Sequence, residues 1–130
     1  MHLSKDILCE DGFANRIEDG KVTGFNVMMR IPYYRGVPLS LVDDILVVVD
    51  GQHYTGKDIQ FQVHGGIFTL DEMKTVVRHR WNYGEKATVR VKKEGGLEPG
   101  KHHVEAYAKL RITYMPFTDL TGGYANLILN

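Results

Sequence analysis

The sequence predicts an all-β fold, an antiparallel β-sandwich or jelly-roll-like single domain. Short segments of alternating apolar and polar residues recur at near-regular spacing, and turn pairs such as Asp-Gly and Gly-Gly separate them. No long segment has the period of about 3.6 residues that marks an amphipathic helix. With 130 residues the chain is long enough for one domain, residues 1–130, with its own hydrophobic core.

Charge and cysteine usage narrow the class of protein. Sixteen basic and sixteen acidic residues cancel, which argues against nucleic acid or an anionic membrane as a partner. The single cysteine, Cys9, excludes an intrachain disulfide, and the first residues lack the order of a signal peptide. The apolar run at residues 45–49 is far shorter than the roughly 20 residues that cross a bilayer. We therefore expect a soluble cytoplasmic protein.

The first half of the chain contains two clear strand signals. Residues 1–16 have no clean period and are predicted to form an edge segment or arm with a turn at Asp11-Gly12. Residues 21–30 alternate as a half-buried strand does. The β-branched run 45–49 ends at Asp50-Gly51, a two-residue hairpin signal because both positions tolerate positive φ. The apolar positions of the first of these strands are Phe25, Val27 and Met29.

A second hairpin and a further strand follow. Residues 59–63 alternate, and Gly65-Gly66 is predicted to turn the chain into residues 67–70. Asp71 is predicted to cap a short helical turn, because its side chain can accept from the N–H groups that follow. Residues 87–93 alternate again and predict another strand.

The longest predicted strand covers residues 102–114. Its even-numbered positions are mostly apolar and its odd-numbered positions mostly polar, so one face is expected in the core and the other in water. The strand runs into a proline at position 116. Residues 117–130 are a C-terminal tail whose role the sequence leaves open.

Residues 30–36, which we call the ledge, concentrate binding-type side chains. With Val37 and Pro38 they include two tyrosines, two arginines and two prolines. Proline restricts its own φ and that of the preceding residue, so this segment is predicted to be stiff and extended. A stiff segment presents Tyr33, Tyr34 and Arg35 to a ligand or partner at little entropic cost. The alternative is that one ring lies in the core and the other stabilises a turn.

A similar segment follows the longest strand. Tyr114, Met115, Pro116 and Phe117 again place aromatic residues around a proline. Two such segments on one rim would form an apolar, aromatic surface, which is typical of a protein interface.

A search for catalytic or metal-binding groups is negative. His102 and His103 are adjacent and point to opposite faces of a strand, so they cannot share one ion. His53, His64 and His79 would form a metal set only if the fold brought them together, and surface histidines are the favoured interpretation. No phosphate loop or nucleophile motif is present, and Cys9 is predicted to be an idle thiol.

Two further residues suit ligand binding. His64 precedes a Gly-Gly pair on the polar face of its strand, where it could reach a ligand or simply be solvated. Trp81 lies between His79-Arg80 and Asn82-Tyr83 and is either a stacking platform for a sugar or aromatic ring or the main core tryptophan.

Several of these segments together resemble the small β subunit of bacterial C-glycoside deglycosidases. The similarity extends over most of the chain in the same order, and it is specific as a combination rather than piece by piece. The matching segments are Arg-Ile-Pro-Tyr-Tyr-Arg-Gly at 30–36, Asp-Ile-Gln-Phe-Gln-Val-His-Gly at 58–65, Thr-Leu-Asp-Glu-Met at 69–73, Arg-Trp at 80–81, Gly-Gly-Leu-Glu-Pro-Gly at 95–100, and Leu-Arg-Ile-Thr-Tyr-Met-Pro at 110–116.

The resemblance implies a subunit of a carbon–carbon lyase. Members of that family are β-sandwich-like chains that assemble in αβ pairs with a larger α subunit, a TIM barrel that holds a divalent metal, usually manganese. The complex cleaves the bond between a 3-oxo sugar and an aromatic, flavonoid-type aglycone by β-elimination. Base and metal belong to the α subunit, so the resemblance assigns no catalytic residue, metal ligand or cofactor to this chain.

Residues at the rim of the substrate pocket or at the subunit interface are what the chain is expected to supply. We also keep two alternatives: a free-standing carbohydrate- or aromatic-binding module that uses Trp81, Tyr33 and Tyr34, and a small metalloenzyme that uses the three histidines above. The candidate rim or interface residues are Arg30, Tyr33, Tyr34, Arg35, His64, Trp81, Tyr114, Met115, Pro116 and Phe117.

Overall fold

The structure, a computed structural model, describes residues 2–4, 7–33, 35–111 and 120–130. In this part of the chain the only α-helix is the four-residue α1 (Leu70–Met73), and short 3-10 turns occupy Leu39–Leu41 and Gly56–Asp58. The strands are β1 (His2–Ser4), β2 (Leu8–Glu18), β3 (Lys21–Arg30), β4 (Val37–Pro38), β5 (Val42–Val49), β6 (Gln52–Tyr54), β7 (Ile59–Val63), β8 (Gly66–Thr69), β9 (Arg80–Trp81), β10 (Lys86–Lys92), β11 (Gly100–Leu110) and β12 (Leu120–Leu129).

Two five-stranded sheets share one hydrophobic core. The first sheet has the order β1-β12-β11-β5-β6 and the second the order β2-β3-β10-β7-β8. Strands β4 and β9 form a separate two-stranded ribbon. Neighbouring strands are antiparallel except for β1 and β12, which are parallel. The predicted all-β, sandwich-like fold is therefore confirmed.

The core is built from the inward faces of both sheets, as the alternation predicts. In β3 the predicted apolar set is buried, whereas Asn26, Met28 and Arg30 are only partly covered. Among the described residues no polar or charged residue belongs to the buried class. The largest completely buried side chains are Trp81, Phe25, Phe61, Met29, Leu39, Ile45, Ile59 and Met73.

The Asp50-Gly51 hairpin has the predicted geometry, and Asp19-Gly20 forms a second hairpin of the same kind. Asp19 and Gly20 connect β2 to β3 with φ values of 51° and 77°, and Asp50 and Gly51 connect β5 to β6 with φ values of 49° and 86°. Two consecutive positive φ values define the turn whose twist matches that of the flanking strands.

Two local predictions are wrong. Asp11 and Gly12 do not end a strand, because β2 continues through them with a bulge that shifts the register between Cys9 and Ala14. Gly12 has φ +81°, the conformation that a bulge often requires. Helix α1 is capped by Thr69 rather than Asp71, since the Thr69 side chain accepts from the N–H of Glu72 at 3.1 Å and the Glu72 carboxylate accepts from the N–H of Thr69.

The end of the chain is a strand of the first sheet. Residues 120–129 form β12, which pairs with β11 from Gly100 opposite Leu129 to Lys109 opposite Leu120. Strand β11 itself covers Gly100–Leu110, and the remainder of the predicted strand, residues 112–114, lies outside the described residues. Tyr107 points outward yet is only 4% exposed. Burial first, and then a hydrogen bond to Glu105, raise the pKa of Tyr107 to about 12.

A helix long and apolar enough to span a bilayer is absent from the described part of the chain.

Candidate functional site

One end of the second sheet brings together several of the sequence-predicted residues. Arg30 at the end of β3 pairs with Lys86 at the start of β10. Thr88, two residues further along β10, pairs with Gln62 of β7. His64 lies just beyond, in the turn that joins β7 to β8. We call this end, together with the ledge that leaves it, the rim.

The ledge is attached at both of its ends. The N–H of Arg30 donates to the carbonyl of Ile7 at 2.8 Å, and the Ile31 side chain that follows is buried. Beyond the ledge, β4 pairs with β9, and the guanidinium of Arg80 donates to the carbonyl of Gly36 at 3.2 Å. Tyr33 is half-buried and packs against the core, which agrees with one of the two interpretations of the tyrosine pair. Both ends of the ledge are thus held by the fold.

Trp81 is a core residue. Its side chain is 0% exposed, and its ring meets Phe61 edge to face with 4.9 Å between ring centroids. Its indole N–H donates to the carbonyl of Glu85 at 3.0 Å. A completely buried ring cannot stack on a ligand, so the stacking-platform interpretation is wrong and Trp81 instead anchors the strand that holds the ledge.

Glu85 connects two turns at the rim, and no pattern in the sequence indicated this role. Its carboxylate accepts from the N–H of His64 at 3.3 Å and from the N–H of Asn82 at 3.1 Å. His64 is exposed, as the sequence predicts for a turn-flanking residue. A depression of about 590 Å³ lies here. Its polar and apolar lining includes Gln62, His64, Ile67, Glu85, Lys86 and Thr88.

Exposed apolar side chains occur in the segments that line this depression and in segments close to them in the sequence. Tyr83 is 71% exposed in the turn that Glu85 fastens, and Ile67 is 44% exposed at the start of β8. Val77 is 69% exposed in the segment that leads to His79, whose ring meets Phe68 of β8 edge to face at 5.0 Å. Exposed aromatic and aliphatic groups on one surface are a mark of a protein interface.

The second aromatic segment, Tyr114, Met115, Pro116 and Phe117, lies outside the described residues, as does Tyr34. Arg111, three positions before Tyr114, is the last described residue ahead of that segment. Arg111 donates from its backbone N–H to the carbonyl of Leu41 at 2.8 Å and from its guanidinium to the carbonyl of Ser40 at 3.0 Å. Leu41 and Ser40 belong to the turn that follows the ledge, so Arg111 lies next to that turn.

The histidines of the metalloenzyme alternative do not form a ligand set. His53 is exposed on β6 of the first sheet, whereas His64 lies in the turn between β7 and β8 of the second sheet and the ring of His79 packs against Phe68 of β8. Among the described residues no group of three or more His, Cys, Asp or Glu is arranged to hold a metal ion.

Cys9 is a free thiol that is only 3% exposed. Burial raises the pKa of the Cys9 thiol, and the nearby charge of Arg30 opposes this shift without overcoming it. The Arg30 guanidinium donates to Sγ at 3.4 Å. A buried thiol with a raised pKa has little thiolate at neutral pH, which agrees with the predicted idle thiol.

Comparison with known proteins identifies the family. The sequence profile of the C-glycoside deglycosidase beta subunit family matches residues 3–114. The chain belongs to this family. The predicted resemblance is thereby confirmed, and the match includes the ledge, His64 and Trp81 but ends at position 114, before Met115, Pro116 and Phe117.

Individual relatives of known name agree with the family assignment. A C-glycoside deglycosidase beta subunit of Eubacterium cellulosolvens is 32% identical over 115 residues, which cover 88% of this chain and 78% of the relative. A 3'-dehydrocarminate deglycosidase beta subunit of Microbacterium is 32% identical over 96 residues, 72% of this chain and 70% of that one. A C-glycoside deglycosidase beta subunit of Arthrobacter globiformis is 27% identical over 98 residues, 75% and 74% of the two chains.

Among solved structures, a colonization-factor subunit of enterotoxigenic Escherichia coli covers 100% of this chain and 94% of its own, with a TM-score of 0.29 and 10% identity. A likeness of this degree carries no argument about function.

Proposed function

We propose that this chain is the β subunit of a heteromeric C-glycoside deglycosidase, a carbon–carbon lyase that acts on 3-oxo-C-glycosides with flavonoid-type aglycones. Family membership over residues 3–114 carries this proposal. The names of the relatives, each a beta subunit of a deglycosidase, support a partner α subunit, which we expect to be a TIM barrel assembled with this chain in αβ pairs. The cytoplasm stays the predicted compartment.

The proposed reaction is a β-elimination. A ketone at C3 of the sugar makes the proton on C2 acidic, and a base removes it. The electron pair left at C2 then forms the C1–C2 double bond, the bond from C1 to the aglycone breaks with its electrons, and the aglycone carbon takes up a proton. A divalent metal, manganese, would stabilise the enediolate oxygen. The described residues offer no ligand set for that ion, so in our proposal base and metal belong to the α subunit.

The part of this chain in the reaction is to complete the substrate pocket of its partner. The exposed apolar side chains of the rim support this role, because a partner surface would cover them and exclude water from the aglycone. In this proposal Arg30, Tyr33 and Arg35 of the ledge, together with His64, line the interface or the pocket. Tyr34 and the segment around Pro116 remain candidates for the same role.

Co-expression tests the proposal. We would express the tagged chain with the large deglycosidase subunit of the same organism and assay cleavage of a 3-oxo-C-glycoside such as an oxidised flavone C-glucoside. The expected result is co-purification and a lyase activity that needs both chains. A large subunit that is fully active alone, or two chains that never associate, would contradict the proposal.

The free-standing binding module is not favoured by the structure, because its principal platform, Trp81, is completely buried. Calorimetric titration of the isolated chain with mono- and disaccharides and with a flavone C-glucoside gives an independent check. We expect no saturable binding in the absence of the partner.

A further inference from the structure

A depression of about 390 Å³ lies on the outer face of the second sheet, away from the rim. Its central residue, Arg90, is four positions along β10 from the rim residue Lys86. Ligand sites in proteins have volumes of about 300–1,000 Å³, so the space is sufficient for a small molecule. The charged residues that line it are Arg16, Arg90, Lys57, Lys92, Glu18 and Asp58.

Arg16 fixes the geometry of one side of this depression. Its Nε donates to Oε1 of Glu18 at 2.8 Å, its Nη1 donates to Oδ1 of Asn26 at 2.8 Å, and its Nη2 donates to the carbonyl of Val91 at 3.3 Å. The Arg16 side chain is only 13% exposed. Its donors are used within the chain, so Arg16 is a structural support.

Arg90 has a different environment. Its side chain is 19% exposed, and its guanidinium reaches Oε1 of Glu18 at 3.5 Å, which is the only polar contact it makes among the described residues. That oxygen already accepts from Arg16 and, at 3.2 Å, from the hydroxyl of Thr23. An arginine side chain that is mostly buried and retains unused donors is stabilised when a further group accepts from it.

The side chains that line the depression carry an excess of positive charge. The depression is lined by four basic and two acidic side chains, although the chain as a whole is neutral. Lys57 and Lys92 form no ion pair within the described part of the chain, and the neutral side chains Gln60 and Thr69 add hydrogen-bonding groups. An oxyanion with two negative charges would neutralise this excess.

We propose that this depression binds a small ligand bearing a phosphate or two carboxylates, with Arg90 as the bidentate donor and Lys57 and Lys92 as flanking cations. A guanidinium presents parallel N–H groups that match two oxygens of such a ligand, whereas an ammonium acts as a point charge. The site is independent of the proposed lyase reaction, because none of its lining residues belongs to the rim.

Isothermal titration calorimetry of the full chain tests this site. Sodium phosphate and sodium citrate are titrated separately at low ionic strength, and we expect saturable binding of one molecule per chain for at least one probe; the better probe identifies the source of the oxyanion. Arg90→Gln should weaken binding about tenfold or more, because a charge-assisted hydrogen bond contributes about 1.5–3 kcal/mol. Lys101→Gln, which removes one positive charge from the first sheet, should bind as the wild type does.

Three results on the isolated chain would overturn the proposal: no saturable binding of either probe, unchanged affinity in Arg90→Gln, or an equal loss in Lys101→Gln, which indicates a general charge effect. Far-UV circular dichroism checks that Arg90→Gln is folded, and Lys92→Gln is the second variant if it is not. The titration is repeated on the purified αβ complex. Loss of probe binding there would also overturn the proposal, since the depression would then be covered by acidic groups of the partner.

Discussion

His102 joins three segments of the chain through both nitrogens of its ring. Nδ1 lies 2.6 Å from a carboxylate oxygen of Asp50, and Nε2 lies 2.7 Å from the carbonyl of Glu98. Both neighbours are acceptors, so this arrangement favours the positively charged ring, which donates from both nitrogens. The carbonyl of Glu98 and the carboxylate of Asp50 together raise the pKa of His102, and the bonds from His102 and from the N–H of His103 lower the pKa of Asp50.

The pH dependence of stability follows from these directions. Because the pKa of His102 is raised in the folded state, its contribution is fully present below the unfolded value of about 6.5 and is lost as the pH rises through the higher folded value. The contribution of Asp50 has the opposite dependence, since it is lost as the pH falls through a folded pKa below about 3.8. We expect the wild type to lose of the order of 1 kcal/mol above neutral pH, a small value because Asp50 is exposed and screened.

Urea denaturation at several values between pH 6 and pH 9 measures this effect. His102→Gln should be less stable than the wild type at pH 6, and the difference should shrink as the pH rises. His53→Gln, which removes an exposed histidine of β6, is the control and should show no such convergence. A constant difference between His102→Gln and the wild type would show that protonation of His102 contributes nothing to stability.

Whether Trp81 lies in the core or on the surface could not be predicted from its residue type and its neighbours in the sequence. Its neighbours Arg80, Asn82 and Tyr83 are exposed and polar or amphipathic, which is compatible with a surface ring as well as with a core ring. The outcome depends on Phe61, which is distant along the chain and supplies the surface against which the indole packs.

Regular elements were predictable because their signals are local. Alternation identified β3, β7 and β10, and paired positive φ values explain why Asp50-Gly51 between apolar runs predicted a hairpin correctly. The same dipeptide at Asp11-Gly12 was misinterpreted, because a bulge and a turn both require a residue with positive φ. Which of the two forms depends on the partner strand β3, which continues past the bulge.

The candidate site was predictable only in part, for a related reason. The stiffness of the ledge follows from its own prolines, and the structure shows how it is attached. The contribution of Glu85 could not be predicted, since its two acceptor contacts are to backbone N–H groups of His64 and Asn82 that become neighbours only in the folded chain.

The exposed side chains of the rim lead to a prediction about the affinity of this chain for its partner. The double variant Val77→Ser/Tyr83→Ser should bind the partner at least about tenfold more weakly, because truncation of interface side chains near the centre of a contact costs about 2 kcal/mol or more. Arg35→Ala on the ledge should act in the same direction. Surface plasmon resonance with the immobilised large subunit measures both changes.

The matched control also replaces two exposed apolar side chains by serine, at the opposite end of the sandwich. Ile17 and Ile128 are 68% and 66% exposed, close to the 69% and 71% of Val77 and Tyr83. Ile17→Ser/Ile128→Ser should retain the affinity of the wild type. Equal weakening in the two double variants would indicate a general effect of surface hydrophobicity, and weakening in the control alone would place the interface at the other end.

At the scale of the whole molecule, the core does not depend on the rim. Inward-facing residues of both five-stranded sheets form one continuous cluster, and β12 closes the first sheet by pairing with β11 along ten residues. The long-range pairing of β3 with β10 and of β5 with β11 joins most of the sequence into this one unit. The exposed apolar groups of the rim lie outside this cluster, so we expect the chain to fold without its partner.

This separation predicts how the partner affects thermal stability. The isolated chain should unfold in one cooperative transition, and a partner that binds only the folded state at 100 times its dissociation constant should add about 2.7 kcal/mol. For a domain of this size that corresponds to an increase in Tm of about 5–15 °C. Val77→Ser/Tyr83→Ser should keep the Tm of the isolated chain and lose most of the increase, which differential scanning calorimetry with and without the large subunit would measure. A chain that is unfolded alone would contradict the independence of the core, because its stability would then be inseparable from assembly.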